Sequence, residues 1–359
     1  MKINEITNYL ESLAPLYLQE DYDNSGLITG NKSWNVSNVL ACLDCTEDVV
    51  DEAIARSCNL IIAHHPIVFS GLKSIVGKNY IERTIIKAIK NDIAIYAIHT
   101  NLDNIKEGVN AVIGKKIGLE KTKILRPKKK FIKKLSFYSP VSDAQRLKSL
   151  LWEAGAGNIG NYSHCSFSTT GQGTFMGNDD SKPSLGQKKV LHAEKEEKIE
   201  MILPLYLQNK ILNTLFSEHP YEEVAYEIHL LDNVNQHIGS GIFGKLKTPM
   251  KSNDFLKHLK KVMQTDCIRY TDLNKEYIET VAVCGGSGSF LLDDAKKVKA
   301  DILITADFKY HEFFDAENDI IIADIGHYES EQFTKELLRD ILNEKFTKFA
   351  THLSSINTN

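Results

Sequence analysis

The sequence predicts an α/β fold: two pseudo-repeated α/β halves that form one core, with a smaller α+β module inserted between them. Three observations predict it. Short apolar runs rich in β-branched residues alternate with stretches of helical period, as in buried parallel strands joined by helices. The order of elements in the first 126 residues recurs near the C-terminus. Between the repeats, Arg126-Pro127-Lys128-Lys129-Lys130 opens a stretch of different character. The expected division is 1–126, 127–235 and 236–359.

In the first half, Ile3, Ile6, Leu10, Leu13 and Leu16 give residues 3–18 a helical period, with Pro15 near its end. Asp23-Asn24-Ser25-Gly26 marks a turn. Val39 to Leu43 reads as a buried strand, Glu47 to Ser57 as the helix after it, and Leu60-Ile61-Ile62-Ala63 as the strand completing a βαβ unit. His64 and His65 end that strand, and Pro66, lacking an N–H, prevents its continuation in the ladder. Ligands of open α/β sheets sit beyond the carboxyl ends of strands. Neighbouring side chains on an extended chain point opposite ways, so the two rings are not expected to grip one ion, although a kinked strand end could let them hold two. Alone, the pair reads as one core and one surface histidine. A helix near 79–91 leads into the buried strand Ile93 to Ile98, which ends at His99, and Asp103 is placed to cap a helix running to Gly114.

Residues 131–232 read as strand, helix, Gly/Ser/Thr-rich loop (Gly155 to Gly177, then polar to Gln187), helix (Pro204 to Glu218) and a half-buried strand (Val224 to Leu230). Insertion is preferred because the flanks repeat each other. Sliding residues 39–65 onto 281–307 places Val39 on Val281, Cys42 on Cys284, Asp51 on Asp293 and Leu60-Ile61-Ile62 on Ile302-Leu303-Ile304. Asn91-Asp92-Ile93 likewise resembles Asn318-Asp319-Ile320, and each following apolar run ends in a histidine with an acid four residues on: His99 and Asp103, His327 and Glu331.

Composition narrows the function classes. A net charge of -4 gives no global attraction to nucleic acid or anionic membrane. The basic junction reads as a solvated linker or strand edge, with too few interleaved aromatics for a nucleic-acid face. No apolar stretch approaches the ~20 residues of a membrane span, and the N-terminus lacks a secretory h-region. Six cysteines in 359 residues are no disulfide framework, so a cytoplasmic location is expected.

If the halves face each other, their strand ends bring together His64, His65, His99 and Asp103 with Asp307, His311, His327 and Glu331. Imidazole and carboxylate donors without thiolates suit zinc, iron or manganese in a site that keeps water. A carboxylate can bridge two ions ~3.5–4 Å apart, as in two-metal hydrolases. Other motifs are weaker. Gly239-Ser240-Gly241-Ile242-Phe243-Gly244 fits a dinucleotide fingerprint, but Lys245 to Pro249 follows where a helix is required. Cys42 and Cys45 have no second pair and read as structural. Gly285-Gly286-Ser287-Gly288-Ser289 reads equally as an anion cradle or as a tight turn that lets the halves pack.

Over essentially its whole length the chain resembles the dinuclear-metal-centre hexameric proteins, the GTP cyclohydrolase 1 type 2 homologues of the Nif-three-like family. The resemblance runs through Asp23-Asn24-Ser25-Gly26-Leu27, Ala63-His64-His65-Pro66, His99-Thr100-Asn101-Leu102-Asp103, Cys284 to Gly288 and Gly326-His327-Tyr328-Glu329-Ser330-Glu331. Gly160-Asn161-Tyr162 and His219-Pro220-Tyr221-Glu222-Glu223 match the insert of longer members. The resemblance implies two divalent metal ions per subunit (zinc, iron or manganese) held by His64, His65, Asp103, His327 and Glu331, with Glu331 as the bridge. It also implies a toroidal homohexamer and a ferredoxin-like insert. His99 and His311 match positions near the metals and are expected to act in catalysis by proton transfer or by supporting the ligands; no organic cofactor is expected. Ala306 in Thr305-Ala306-Asp307 stands where members often have glycine. The implied function is a metal-dependent hydrolase of a nucleotide such as GTP, or of another phosphorylated small molecule. The alternative is a metal-binding regulatory or carrier assembly without turnover.

Overall fold

A computed structural model describes residues 1–359. In chain order the elements are α1 (Ile3–Leu13), β1 (Gly26–Thr29), β2 (Val39–Cys42), α2 (Glu47–Ala55), β3 (Leu60–Ala63), α3 (Tyr80–Lys90), β4 (Ala94–Ala97), α4 (Thr100–Asp103), α5 (Val109–Ile117) and β5 (Leu119–Lys129). Next come β6 (Ile132–Pro140), α6 (Val141–Ala154), β7 (Phe167–Phe175), β8 (His192–Pro204), α7 (Gln208–Glu218) and β9 (Tyr226–Leu231). The chain then continues through β10 (Val234–Lys251), α8 (Ser252–Met263), β11 (Arg269–Tyr270), β12 (Tyr277–Ser287), α9 (Leu292–Lys297), β13 (Ile302–Ala306), β14 (Ile321–Asp324), α10 (His327–Glu331), α11 (Thr334–Lys345) and β15 (Thr351–Leu353). Two compact units result: residues 1–127 with 237–359, and residues 128–236.

The first unit is a mixed α/β structure with two sheets, ordered β1-β4-β3-β2-β15 and β11-β14-β13-β12-β10-β5. The internal repeat is visible in them. β2, β3 and β4 are parallel neighbours, as are β12, β13 and β14, and each trio carries a short antiparallel strand beside its last member, β1 or β11. The far edges break the symmetry. β15, from the second half, pairs with β2, while β5, from the first half, lies beside β10. The two halves therefore exchange edge strands, which their separate sequence patterns do not reveal.

Strand parity builds the core. Val39, Ala41, Leu60, Ile62, Ala94 and Tyr96 share one buried cluster with Val281, Val283, Ile302, Ile304, Ile321 and Ala323. Helices α1, α5, α8 and α11 contribute to the same cluster. The alternate residues face outward: Leu40, Ile61 and Ile95 pack under α2 and α3, and Ala282, Leu303 and Ile322 pack under α9. Strands buried on both faces explain the continuous apolar runs. Each such side chain contributes about 1.5–3 kcal/mol on burial, so the strand ends that carry the polar residues are held on a stiff base. Cys42, Cys45, Cys58 and Cys284 are buried and unpaired, and burial pushes the Cys45 thiol up to about 12. The 239–244 glycine motif lies within β10, in keeping with its rejection as a dinucleotide loop. No helix is long and apolar enough to cross a membrane.

The second unit is a four-stranded antiparallel sheet, ordered β7-β8-β6-β9, with α6 and α7 packing their apolar faces into its core. Here the expected loop is corrected. Phe167–Phe175 and His192–Pro204 form a long hairpin rather than loop. β7 reads Phe-Ser-Thr-Thr-Gly-Gln-Gly-Thr-Phe and is half-exposed or exposed at every residue, so it lacks the apolar alternation that marks a strand.

Candidate metal centre

His64 and His65 leave the end of β3 with their backbone N–H groups still donating to Cys42 O (3.2 Å) and Leu43 O (2.9 Å). The expectation that adjacent rings diverge is corrected here. Their centroids are 5.0 Å apart, because the regular ladder ends at Ala63 and the chain bends ahead of Pro66. His64 is fully buried. Its Nδ1 lies 2.8 Å from Ile98 O, which makes that nitrogen the donor and turns Nε2 inward as a lone pair.

The other rings are oriented in the same way by carboxylates. His65 Nδ1 lies 2.7 Å from Asp44 Oδ1, His99 Nδ1 2.8 Å from Asp23 Oδ1, and His327 Nδ1 2.7 Å from Asp307 Oδ2. This is the support that metal-binding imidazoles receive, since fixing one nitrogen aims the other. Asp23 is in turn held by the backbone N–H (3.0 Å) and the hydroxyl of Thr100. Asp103 is the last residue of α4, one turn from His99, and the expectation that it caps the next helix is corrected: Gly108 caps α5. Its Oδ1 instead stands 3.6 Å from His64 Nε2.

Glu331 joins the two sides. On α10 it follows His327 by four residues, hence on the same helical face. Its Oε2 lies 2.9 Å from His65 Nε2, 3.1 Å from His327 Nε2 and 3.9 Å from His64 Nε2. Gly286, at φ +61°, passes so close that a Cβ there would stand 2.5 Å from Glu331 Oε1 and 3.2 Å from His327. At Gly285 and Gly286 the loop packs closely against the facing residues. The Gly285 and Gly286 N–H groups donate to Asn110 Oδ1 and Ser330 Oγ, each at 2.9 Å, and are not free to cradle an anion.

Three overlapping triads emerge, each with one ligand atom per residue and all such atoms within 4.8 Å: His64-His65-His99, His65-His327-Glu331 and His64-Asp103-Glu331. His311 is not among them. It is exposed on the turn after β13, with its ring against Tyr310 and Phe314. His99 belongs to the first triad, its ring centroid 5.3 Å from His64 and 5.2 Å from His65. His327 and Asp307, with side chains 40% and 48% exposed, mark the side of the site open to solvent.

The electrostatics fit a cation. His64 Nε2 and Asp103 Oδ1 are buried polar atoms without a hydrogen-bond partner. Such atoms are costly unless something coordinates them. Burial pushes His64 down to about 3, so its ring is neutral. Burial also raises Asp103 well above the carboxylate range, reinforced by the Glu331 charge. Glu331 goes the other way: burial opposes its charge, yet hydrogen bonds from His327 and His65 hold it well below that range. Burial likewise opposes the charge on His65, but hydrogen bonds to Asp44 and Glu331 lift it to about 10. The Glu331 hydrogen bond is the main cause lifting His327 to about 9. In the metal-free protein, two protonated histidines thus occupy the place of the cationic charge that the donor set can hold.

Asp23 and Asp44 are missing from the site read from sequence. Asp44 stands just past the end of β2, so the strand-end argument that singled out His64 and His65 extends to it. The C-terminal segment reaches the same place. Thr358 Oγ1 donates to Asp44 Oδ2 at 2.6 Å, while Ser354 Oγ and Ser355 N donate to Glu52 at 2.6 and 3.0 Å. Thr358→Val removes the hydroxyl that holds the other oxygen of the His65 partner Asp44 and is expected to weaken metal binding about tenfold, the lower end for such supporting groups. A chelator-competition titration checks this, and unchanged affinity would contradict it.

Comparison with known proteins agrees over the full length. The Duf34/NIF3 (NGG1p interacting factor 3) family matches residues 1–359. The chain is 36% identical over 358 residues to a GTP cyclohydrolase 1 type 2 homolog of Halalkalibacterium halodurans, covering 98% of this chain and 96% of the relative. It is 35% identical over 361 residues to the protein of the same name in Bacillus subtilis, covering 99% and 96%. Among solved structures, a Bacillus cereus protein related to NIF3 superposes with a TM-score of 0.87 at 37% identity, covering 100% of this chain and 98% of that one. A Staphylococcus aureus protein gives 0.79 at 29%, covering 100% and 97%. The family match and these relatives span the whole chain, which is therefore a member of the Duf34/NIF3 family.

Proposed function

We propose that this protein is a dinuclear metal-dependent hydrolase acting on a nucleotide of the GTP type or on another phosphorylated small molecule. The observation that carries the reading is the sharing of Glu331. Triads His65-His327-Glu331 and His64-Asp103-Glu331 have only that carboxylate in common, so Glu331 would be shared if each triad held an ion. Two divalent ions there supply Lewis acidity that polarises the bond under attack and makes water acidic enough to act near neutral pH. The chain's own residues do the rest. Asp44, Asp23 and Asp307 fix the three imidazoles, Glu331 holds both positions together, and the His327 side stays open to substrate. His99, hydrogen-bonded to Asp23 beside the His64 and His65 rings, would move a proton or support the ligands; for His311, exposed against Tyr310 and Phe314, no contact with the triads supports such a role. The names of the relatives point to GTP. Because the Gly285 and Gly286 N–H groups are already occupied, a phosphate at this loop would rely on Ser287 to Ser289.

The remaining features of the reading are a homohexameric ring, a cytoplasmic setting that keeps the six cysteines reduced, and a ferredoxin-like second unit. The order β9-β6-β8-β7 with helices after the first and third strands supports the last of these. The test is to load full-length protein with manganese, zinc or iron(II) and assay GTP alongside a phosphoester panel. Turnover that disappears in Glu331→Ala while the assembly persists on a sizing column is the expected result. Undiminished turnover in that variant refutes the mechanism, and no turnover of any substrate by the loaded protein favours the metal-binding regulator or carrier.

A further inference from the structure

The metal centre does not use His219-Pro220-Tyr221-Glu222-Glu223, a motif that stands out in the sequence of the second unit. In the structure this segment walls a cavity of about 690 Å³ within that unit, in the ~300–1,000 Å³ range of small-molecule sites. The motif is held rigidly. His219 is buried; its Nδ1 accepts the Tyr221 backbone N–H at 3.1 Å, so Nε2 carries the proton and donates to Tyr138 O at 2.9 Å. The Tyr221 ring lies 5.2 Å from the His219 ring and 5.9 Å from that of Phe175. Glu222 Oε2 accepts the backbone N–H of Lys182 at 2.6 Å, tying the loop after β7 to the cavity rim.

The lining carries a charge that this unit does not neutralise. Asp180, Glu196, Glu222 and Glu223 line the cavity, and no Lys or Arg does. Glu196 matters most, because it is only 8% exposed. Its Oε1 accepts the Tyr221 hydroxyl at 2.8 Å, whereas Oε2 accepts no hydrogen bond. That oxygen lies against Gly173: a Cβ there would stand 2.0 Å from it, so the carboxylate would have to shift. A buried carboxylate with a single neutral donor is costly until a cation completes it. Tyr138, Phe175 and Tyr221 present aromatic rings to the same space, and ring faces attract cations. A bare metal ion fits poorly. Only one deeply buried carboxylate is on offer, where a hard divalent ion takes about six or more oxygens.

We propose that this cavity binds a small organic ammonium ion, a protonated primary amine on a compact carbon frame, with Glu196 as its counter-charge and the Tyr138, Phe175 and Tyr221 rings as its walls. The three N–H bonds of an ammonium match Glu196 Oε2 and the hydroxyl and carbonyl groups around it. The site is separate from the metal centre, so the inference stands whether or not the hydrolase reading does.

The experiment is calorimetric titration of the full-length protein with tyramine, with p-cresol and 4-hydroxyphenylacetate as the neutral and anionic counterparts, and with manganese chloride. Tyramine is expected to saturate with a Kd below about 1 mM, and the two counterparts to bind at least about tenfold more weakly. Glu196→Gln, which keeps the shape, is expected to weaken tyramine at least about tenfold. Tyr221→Phe, which removes the donor to Glu196 but keeps the ring, is expected to change affinity less. Should Glu196→Gln unfold, Glu196→Asp, which keeps the charge but draws it back by one methylene, is expected to weaken tyramine, and unchanged affinity in that folded variant would overturn the proposal. Equal binding of p-cresol, tyramine affinity untouched in the folded variant, no saturable tyramine binding, or manganese binding that Glu196→Gln abolishes while tyramine does not compete would each overturn the proposal.

Discussion

Glu331→Gln is expected to weaken metal binding about a hundred- to a thousandfold and to lower the stability of the metal-free protein as well. Both effects come from one oxygen. Oε2 is within 3.1 Å of His65 and His327 Nε2, and Glu331 is 3% exposed, so no water can take its place without rearrangement. Removing one partner of a buried ion pair costs about 3–5 kcal/mol, equivalent to roughly two to three decades in affinity. Asp103→Asn makes the informative contrast. Burial and the Glu331 charge push the Asp103 carboxyl well above its ordinary range, toward the neutral form that an amide resembles, so the substitution disturbs the metal-free protein less. Metal affinity should fall in both variants, but only Glu331→Gln should lower the melting temperature of chelator-treated protein. Equal melting temperatures for all three metal-free proteins, or wild-type affinity in Glu331→Gln, would remove Glu331 from the centre of the site.

The second large effect is on pH. His65, lifted to about 10, and His327, lifted to about 9, are protonated at neutral pH in the metal-free state. An ion held by the His65-His327-Glu331 triad needs both Nε2 lone pairs, so two protons must leave when it binds there. Apparent affinity should therefore rise about a hundredfold per pH unit around neutrality, one decade for each proton, and flatten above about pH 9–10. Stability has the opposite sign in the metal-free protein. Because these histidines have folded-state pKa values raised above the ordinary ~6.5, their ion pairs contribute fully below that value and are lost as pH rises through about 9–10. Melting temperatures from pH 6 to 10 should fall for chelator-treated protein and rise, relative to it, for metal-loaded protein. Proton release measured calorimetrically in buffers of different ionisation enthalpy checks the count, and a value near zero at pH 7 would contradict it.

What could be read from sequence divides along physical lines. β2, β3 and β4 and their counterparts β12, β13 and β14 are buried on both faces, so their apolar runs stand out and their ends locate His64, His65, His99 and His327. The spacing of His327 and Glu331 needs only one helical turn to bring them together. Supporting groups were harder to see. Asp23 and Asp44 lie in turns rich in polar residues, and only the fold shows which of these face an imidazole. β7 and β15 leave little pattern for another reason: β7 is mostly exposed and rests on its pairing with β8, and β15 is only three residues long, held beside β2. His311 shows the limit in the other direction. It follows a buried strand at a suggestive distance, but the turn at Tyr310–Ala316 leaves it facing solvent.

The exchanged edge strands set an order of events during synthesis. Translation delivers His64, His65, His99 and Asp103 long before Glu331, and the strand that covers the open edge of β2 comes later still, at Thr351–Leu353. Thr358, which steadies Asp44, comes after that. A nascent chain therefore carries imidazoles and an uncovered sheet edge that can pair with other chains, while lacking the carboxylate that joins the two sides. Completion of the site therefore waits until Glu331 and the strand at Thr351–Leu353 have both been made.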